Sequence, residues 1–156
     1  LGMDTRGGFS EYISVPSKWA VKCSSNFSTK EAMMLGTAGM TVGLAILSMA
    51  DKLPLDKSKA VVSGATGGVG SIGVRLLSQL GADVTAITGK MNKRSWLKEL
   101  GASKVLDRQR FIDSTNHPLS KGKYDIALDV VGGRILSSII ACMNYDGIIT
   151  TCGNVG

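Results

Sequence analysis

The residues from Lys59 to Gly73 constrain the fold of this chain more than any other stretch. They begin with a short apolar run, Ala60–Val62, whose two valines favour a strand. A cluster of glycines follows, at Gly64, Gly67, Gly68 and Gly70. Apolar residues then recur at the spacing of one helix face: Val69, Ile72, Leu76, Leu77 and Leu80. The stretch therefore predicts a strand, a tight glycine turn and a helix, in that order.

This order of elements is the one that a dinucleotide site requires. Glycine permits the tight turn and lets the backbone approach a pyrophosphate, which a side chain would block. The following helix directs free N–H groups and the positive end of its dipole at the phosphates. The spacing Ala65-x-Gly67-x-x-Gly70 is the dinucleotide fingerprint with its first glycine replaced by alanine. Glycine-rich turns also close ordinary strands, so the interpretation depends on the flanking strand and helix.

Strands and helices alternate from Lys59 onward. Further strands are predicted at residues 83–88, 104–107, 124–131 and 147–152, and helices follow the second and fourth strands of the series. Residues 108–123 are polar and contain a proline, so they are predicted to be irregular. The alternation predicts an α/β fold with a doubly wound parallel sheet, that is, a Rossmann-type domain.

The residues before Lys59 do not continue this alternation of strands and helices. Residues 9–15 alternate apolar and polar side chains and predict a strand, and residues 19–21 predict a second, shorter one. Ser28 and Glu31 have the spacing of a capping box that starts a helix. Residues 32–50 carry no charge and could just span a bilayer by length. Because small and polar residues dilute this stretch, we predict a buried pair of short helices that is broken between Gly36 and Gly39, and no membrane span.

Composition narrows the function classes. The net charge of +6 is modest and does not by itself indicate nucleic acid, and aromatic residues, which form base-stacking platforms, are only 5% of the chain. Three scattered cysteines and one histidine, His117, predict neither a disulfide framework nor a zinc site, and reduced thiols predict a cytoplasmic protein. The chain opens without a methionine and ends in a loop-like stretch, so we expect a fragment of a longer protein.

The end of the second predicted strand indicates which dinucleotide is bound. An NAD site usually has a carboxylate about twenty residues after the glycine turn, for the ribose 2′-hydroxyl. Here that place holds Thr88-Gly89-Lys90, which could bind a 2′-phosphate and therefore predicts NADP(H). The alternative is that Lys90 belongs to a solvated helix face. Lys104 and Arg108 flank the next strand at its two ends, where either an adenosine phosphate contact or a plain surface role is possible.

Several phrases of the sequence together resemble the medium-chain dehydrogenase/reductase superfamily. The resemblance is to its zinc-independent quinone oxidoreductase branch, which includes the NADPH-dependent acryloyl-CoA reductases. The matching phrases are Gly7-Gly8-Phe9-Ser10-Glu11-Tyr12, Gly36-Thr37-Ala38-Gly39-Met40-Thr41, Gly64-Ala65-Thr66-Gly67-Gly68-Val69-Gly70, Thr88-Gly89-Lys90, Leu97-Lys98-Glu99-Leu100-Gly101-Ala102 and Met143-Asn144-Tyr145-x-Gly147. They extend over nearly the whole chain in register.

The resemblance implies a domain organisation and a set of cofactor-binding residues. Residues 1–27 would be the tail of an N-terminal GroES-like catalytic domain, residues 28–58 connecting helices, and residues 59–156 an incomplete NADP-binding domain. The implied pyrophosphate ligands are Thr66, Gly67, Gly68 and Val69. The implied 2′-phosphate ligands are Thr88, Gly89, Lys90 and Lys104. Val131 would border the adenosine, and Cys152 and Gly153 would lie near the nicotinamide. No residue is assigned a catalytic role and no metal is expected.

The resemblance also implies an activity and partners. NADPH would transfer a hydride to a quinone or to an activated alkene such as an acryloyl thioester, and the fragment alone would be inactive. The expected partners are a small-molecule substrate and a second copy in a homodimer, with no nucleic acid and no membrane. One alternative is a short-chain dehydrogenase, although none of the three tyrosines stands in a Tyr-x-x-x-Lys motif. The other is a non-catalytic NADPH sensor or an RNA-binding module.

Overall fold

A computed structural model of the chain describes residues 4–115 and 121–153. The chain divides into two units, Leu1–Met34 and Leu35–Gly156. The predictions that concern His117 and the last three residues lie outside the described residues. The division into residues 1–27, 28–58 and 59–156 that the resemblance implies stays a prediction.

The first unit contains no strand among its described residues, so both strands predicted there are wrong. Residues 9–15 are without regular structure, and a short 3₁₀ helix at Ser17–Trp19 occupies part of the second predicted strand. The physical reason is the lack of a partner. A strand is stable when neighbouring backbone satisfies its N–H and C=O groups, and no other strand is formed among residues 4–34.

Helix α1, Thr29–Ala50, begins at the predicted capping box. The Ser28 backbone N–H donates to Glu31 Oε2 at 2.9 Å, and the Glu31 N–H donates to Ser28 Oγ at 3.2 Å. These reciprocal bonds confirm the box. The hydrogen bonds from the Ser28 side chain and backbone lower the pKa of the Glu31 carboxyl.

The predicted break in α1 is confirmed at Gly36, where φ is +42° and ψ is −144°. The prediction that this region is buried is wrong for most of it, because only Val42, Ile46 and Met49 are buried. The outward side chains Met40, Leu44 and Leu47 are more than 60% exposed. By length and composition alone, α1 could cross a membrane, and 11% of its apolar stretch is buried.

The second unit contains a five-stranded parallel sheet, as predicted. Its strands are β1 (Lys59–Val62), β2 (Asp83–Thr88), β3 (Lys104–Asp107), β4 (Tyr124–Asp129) and β5 (Met143–Thr151). The strand order is β3-β2-β1-β4-β5, and all four neighbouring pairs are parallel. The direction of winding reverses between β1 and β4, and in such sheets ligands bind outside the carboxyl ends of the strands at this point.

Four helices connect these strands. They are α2 (Gly68–Gln79), α3 (Arg94–Glu99, after a 3₁₀ turn at Met91–Lys93), α4 (Arg108–Ser114) and α5 (Gly133–Ile140). Helix α4 corrects the prediction that residues 108–123 are irregular throughout. The Asp107 carboxylate accepts the Arg110 N–H at 3.0 Å and so caps the helix.

Both faces of the sheet are covered. Along β1, Ala60 and Val62 belong to one apolar cluster, together with Val74 and Leu77 of α2. Val61 points the other way, into a second cluster that includes Ile135 and Ile139 of α5. Burial on both faces explains why the strands read as nearly continuous apolar runs.

Gly70 sets how closely α2 approaches the end of β1. A Cβ at this position would overlap the Gly64 carbonyl oxygen and lie 2.8 Å from the Ala65 Cα. Both neighbours are backbone atoms, so they cannot rotate away as a side chain could. The helix can therefore start directly after the turn only with glycine at this position.

We expect Gly70→Ala to lower the free energy of unfolding by more than about 2 kcal/mol, since the added methyl group forces the turn apart. Gly43→Ala is the matched control. Gly43 lies inside α1 with open space at its Cβ position, so alanine there should raise stability by up to about 1 kcal/mol. Urea unfolding of both variants measures this, and equal stability of the two would contradict the close approach.

Candidate functional site

A cleft of about 300 Å³ opens at the carboxyl ends of β1, β2 and β4. It is lined by Gly64, Thr66, Ile87, Thr88, Gly89, Lys90, Arg108, Val131 and Ile135. Five of these residues (Thr66, Thr88, Gly89, Lys90 and Val131) were predicted from the sequence. The cleft lies at the reversal of winding, where the fold places a ligand site.

The glycine turn after β1 forms one wall of the cleft. The Gly67 N–H donates to the Gly64 carbonyl at 2.9 Å and closes the turn, and the Ala65 N–H donates to the Ile87 carbonyl of β2 at 3.1 Å. Gly64 has a φ of +54°, and a Cβ there would lie 2.5 Å from Val130 Cγ2. A side chain at Gly64 would therefore be strained and would collide with the neighbouring turn.

The amino end of α2 provides free donors beside this turn. Gly67 is the N-cap residue and supplies no side-chain cap, and among the described residues no side chain bonds to the first N–H groups of the helix. Gly67 and Gly68 are exposed. Uncapped N–H groups at the positive end of a helix dipole suit a phosphate, and this is the place predicted for pyrophosphate.

The end of β2 carries a hydroxyl with defined partners. Thr88 is 2% exposed, and its Oγ1 accepts the Lys90 N–H at 2.9 Å. The same oxygen lies 3.2 Å from Thr66 Oγ1, so one hydroxyl donates to the other. The turn after β1 and the end of β2 are thus joined by a side-chain hydrogen bond as well as through the backbone.

Two cations line the cleft. Lys90 follows β2, and Arg108 is the first residue after β3. Three guanidinium atoms of Arg108 lie 3.6–3.8 Å from the position of a Cβ at Gly89. Such equal distances mean that the flat face of the guanidinium is turned toward Gly89. No carboxylate lines the cleft, and in the described part of the chain neither cation has an ion-pair partner.

The structure places Lys104 at the opposite edge of the sheet from this cleft, which argues against its predicted place at the 2′-phosphate end. Lys104 pairs with Thr85 in the sheet register, whereas Asp107 pairs with Thr88. Lys104 therefore lies three residues, or about 10 Å, along the sheet from Asp107 and Thr88. Lys104 lines a separate pocket at the amino ends of the strands, together with Lys59 and Asp83.

Arg108 is the residue that sequence reasoning left open. Its position directly after a strand, like that of Lys90 after β2, is the signal that places it at the carboxyl edge. Ile87 and Ile135 were read only as apolar residues of a strand and a helix. Their place in the cleft depends on the order of the strands in the sheet, which cannot be deduced from the residue pattern of one strand or helix.

Val131, Cys152 and Gly153 lie on the β4 and β5 side. Val131 lines the cleft, and the Cys152 N–H donates to the Asp129 carbonyl at 3.0 Å. Gly153 approaches Val130 so closely that a Cβ would lie 2.8 Å from the Val131 nitrogen. Burial raises the pKa of the Cys152 thiol, and the Asp129 carboxylate adds to this rise, so the thiol stays neutral at pH 7.

A buried carboxylate holds the turn that carries Val131. Asp129 is fully buried, and its Oδ1 accepts the Ser63 hydroxyl at 2.5 Å while its Oδ2 accepts the Gly132 N–H at 2.8 Å. Ser63 Oγ in turn accepts the Val130 N–H at 2.9 Å. These bonds connect the end of β1 to the turn after β4, across the reversal of winding.

We expect Ser63→Ala to lower the free energy of unfolding by about 1–3 kcal/mol, since it leaves a buried carboxylate oxygen and the Val130 N–H without a partner. Ser137→Ala is the control, because that exposed hydroxyl makes only a 3.4 Å bond to the Gly133 carbonyl. Its effect should stay within about 0.5 kcal/mol in urea unfolding. A Ser63 variant as stable as the control would contradict the network.

A second cleft of about 390 Å³ adjoins the first. Thr66 and Lys90 line both clefts, and the second adds Lys93 and Trp96. Thr66 and Lys90 thus stand on the boundary between the two spaces.

The described residues provide no metal centre. Within 4–115 and 121–153, no group of three or more histidine, cysteine, aspartate or glutamate side chains could hold a metal ion. The groups that the described site offers are the N–H donors at the amino end of α2, the two cations and an apolar wall.

These features define a nucleotide-binding domain of Rossmann type. A sequence profile of the zinc-binding dehydrogenase family matches residues 68–156. The chain belongs to this family, which is part of the medium-chain dehydrogenase/reductase superfamily. Membership removes the short-chain dehydrogenase alternative.

Individual relatives are similar over almost the whole chain. YhfP of Bacillus subtilis (strain 168), which bears a quinone oxidoreductase name, is 43% identical over 157 residues, covering 100% of this chain and 48% of the relative. AcuI of Escherichia coli (strain K12), named as an acrylyl-CoA reductase, is 39% identical over 158 residues, covering 100% and 48%. The chain thus spans about half the length of the curated relatives it matches.

Solved structures agree in fold. The yhdH oxidoreductase from Salmonella enterica in complex with NADP has a TM-score of 0.86 at 38% identity, covering 96% of this chain and 46% of that one. Bacillus subtilis yhfP with NAD bound has a TM-score of 0.87 at 43% identity, covering 94% and 45%. Similar chains thus bind either NADP or NAD, so the cofactor preference of this chain depends on the residues of its own site.

Proposed function

We propose that this chain is the nucleotide-binding part of an NADPH-dependent oxidoreductase that reduces a quinone or an activated alkene, such as an acryloyl thioester, by hydride transfer. One observation carries the proposal: a cleft at the reversal of winding has Lys90 and Arg108 on its wall and no carboxylate. The names and the bound NADP of the relatives support the reaction class.

Each part of the cofactor has a suitable place. The uncapped N–H groups at Gly68 and Val69 suit the pyrophosphate, and the apolar side chains of Val131 and Ile135 suit one face of the adenine. Lys90, Thr88 and Arg108 offer donors to a 2′-phosphate. When bound, NADPH supplies the hydride, and the protein orients the cofactor.

The preference for NADPH over NADH follows from charge. A 2′-hydroxyl needs a carboxylate or a similar acceptor, and this cleft has none, whereas a 2′-phosphate gains charge-assisted hydrogen bonds. Lysine provides a point charge without the bidentate fork of arginine. The planar guanidinium of Arg108 adds a fork that Lys90 lacks, so we infer that the two cations share the phosphate.

The nicotinamide end lies toward β5 in this proposal. Cys152 and Gly153 follow that strand at the same edge of the sheet as the cleft. The Cys152 thiol, with its raised pKa, contributes neither charge nor a nucleophilic thiolate at neutral pH. We assign no catalytic residue, and we place polarisation of the substrate carbonyl outside this chain.

The surroundings of the protein are also part of the proposal. We propose a homodimer in the cytoplasm without membrane or nucleic-acid contacts. The outer edge of β5 has no strand partner among the described residues, and all three cysteines are free. The break at Gly36 leaves residues 37–50 as a helix of about 21 Å, which is shorter than the roughly 30 Å of a bilayer core.

We expect a protein of the relatives' full length that contains this chain to oxidise NADPH when acryloyl-CoA or a quinone is added. Each substrate is supplied separately, and NADPH consumption is followed by absorbance. NADH at the same concentration should support a lower rate. If neither substrate causes NADPH consumption while NADPH still binds tightly, the proposed reaction class is contradicted but the proposed nucleotide site is not.

We expect Lys90→Ala to weaken NADPH binding about tenfold or more, since it removes a charged hydrogen-bond donor to the 2′-phosphate, and to weaken NADH binding much less. Parallel calorimetric titrations with both nucleotides measure this. Lys104→Ala is the matched control, because it also removes a lysine but at the opposite edge of the sheet. An equal loss of NADPH affinity in both variants would refute the placement of the 2′-phosphate.

A further inference from the structure

Thr66 lies on the glycine turn, where the resemblance makes it a pyrophosphate ligand, but in the structure its hydroxyl contacts the end of β2. Its hydroxyl is 3.2 Å from Thr88 Oγ1 at the end of β2. It is half-buried and lines both clefts, each time together with Lys90. Gly67, Gly68 and Val69, the other implied pyrophosphate ligands, line neither cleft.

The backbone of the turn is held toward β2 as well. The Ala65 N–H donates to the Ile87 carbonyl at 3.1 Å, so the residue before Thr66 is fixed to the strand that carries Thr88. This bond holds the turn beside the end of β2, which is the part of the sheet that meets the adenosine ribose in dinucleotide folds.

The hydrogen-bond inventory of the two threonines shows what they can offer to a ligand. Thr88 Oγ1 already accepts the Lys90 N–H at 2.9 Å. One of the two hydroxyls donates to the other, so a single O–H remains for a third group, whichever hydroxyl is the donor. A fully ionised phosphate has no proton to donate and can only accept hydrogen bonds, so it can accept this remaining O–H. The hydrogen bonds from the Lys90 N–H through the two threonine hydroxyls to the phosphate then all point in one direction.

We propose that Thr66 is a specificity-determining residue for the 2′-phosphate of NADP(H) and not a pyrophosphate ligand. With Thr88 it forms a hydroxyl pair that completes the phosphate site beside Lys90. The proposal deepens the proposed function and rests on it, because it assumes that the cleft holds the adenosine end of a dinucleotide.

The test compares dissociation constants for NADPH and NADH in the wild-type protein and in Thr66→Val, which keeps the shape and removes the hydroxyl. We expect the ratio of the NADH to the NADPH dissociation constant to fall roughly tenfold, the effect of one hydrogen bond to a charged group. Thr66→Ser should retain most of the wild-type ratio. A pyrophosphate ligand would instead weaken both nucleotides by the same factor, and that result would overturn the assignment, as would no change in either.

Thr88→Val removes the hydroxyl to which Thr66 is hydrogen-bonded, so the Thr66 hydroxyl is no longer oriented and the ratio should fall to a similar extent. In the double variant Thr66→Val/Thr88→Val, this ratio should fall little further than in the more affected single variant, since either substitution already breaks the pair. Fully additive losses would overturn the pairing.

A measurement on the wild-type protein covers the case in which a variant does not fold. The Thr66 methyl resonance is followed by NMR during titration with adenosine 2′,5′-bisphosphate and, separately, with adenosine 5′-diphosphate. We expect the larger shift with the 2′-phosphorylated probe, and a larger shift with the diphosphate would overturn the proposal. Wild-type protein that binds NADPH no better than NADH would refute the proposed cofactor itself, and this is visible before any variant is made.

Discussion

The site depends on the contact between the amino end of α2 and the carbonyl of Gly64. The helix starts within a few residues of the strand only because Gly70 has no side chain to hold these backbones apart. That contact fixes the turn from Gly64 to Gly67, and the turn in turn presents uncapped N–H groups on one side and Thr66 on the other. The groups proposed for the pyrophosphate and for the 2′-phosphate are thus both positioned by the same close backbone contact.

In the proposed site, charge determines the preference between the two cofactors. A Rossmann-type turn binds pyrophosphate in either cofactor, so the choice between NADP and NAD is made where β2 ends. Here the surrounding groups are Lys90, Arg108 and two hydroxyls, with no carboxylate on the wall of the cleft. Lys104, at the start of β3, lies at the opposite edge of the sheet from this cleft, because parallel strands have their two ends on opposite edges.

The sequence predicted the sheet, the glycine turn and the Thr88-Gly89-Lys90 end of β2, because each depends on local pattern and on the order of elements. It failed where a partner decides the outcome. Residues 9–15 have the alternation of a strand, but within the described residues 4–34 no other strand forms with which they could pair. The apolar residues of α1 point outward as often as inward. Local pattern left Lys104 and Arg108 open, and the resemblance assigned Lys104. The parallel direction of the strands separates the two residues, because they flank opposite ends of β3.

The most direct test of the account is a crystal structure of the protein with NADPH. We expect the 2′-phosphate to lie within hydrogen-bond distance of Lys90 Nζ and the Thr66–Thr88 hydroxyl pair, with the Arg108 guanidinium beside it and the pyrophosphate on the amino end of α2. A 2′-phosphate directed into solvent, or a nucleotide bound at the Lys104 edge of the sheet, would contradict it.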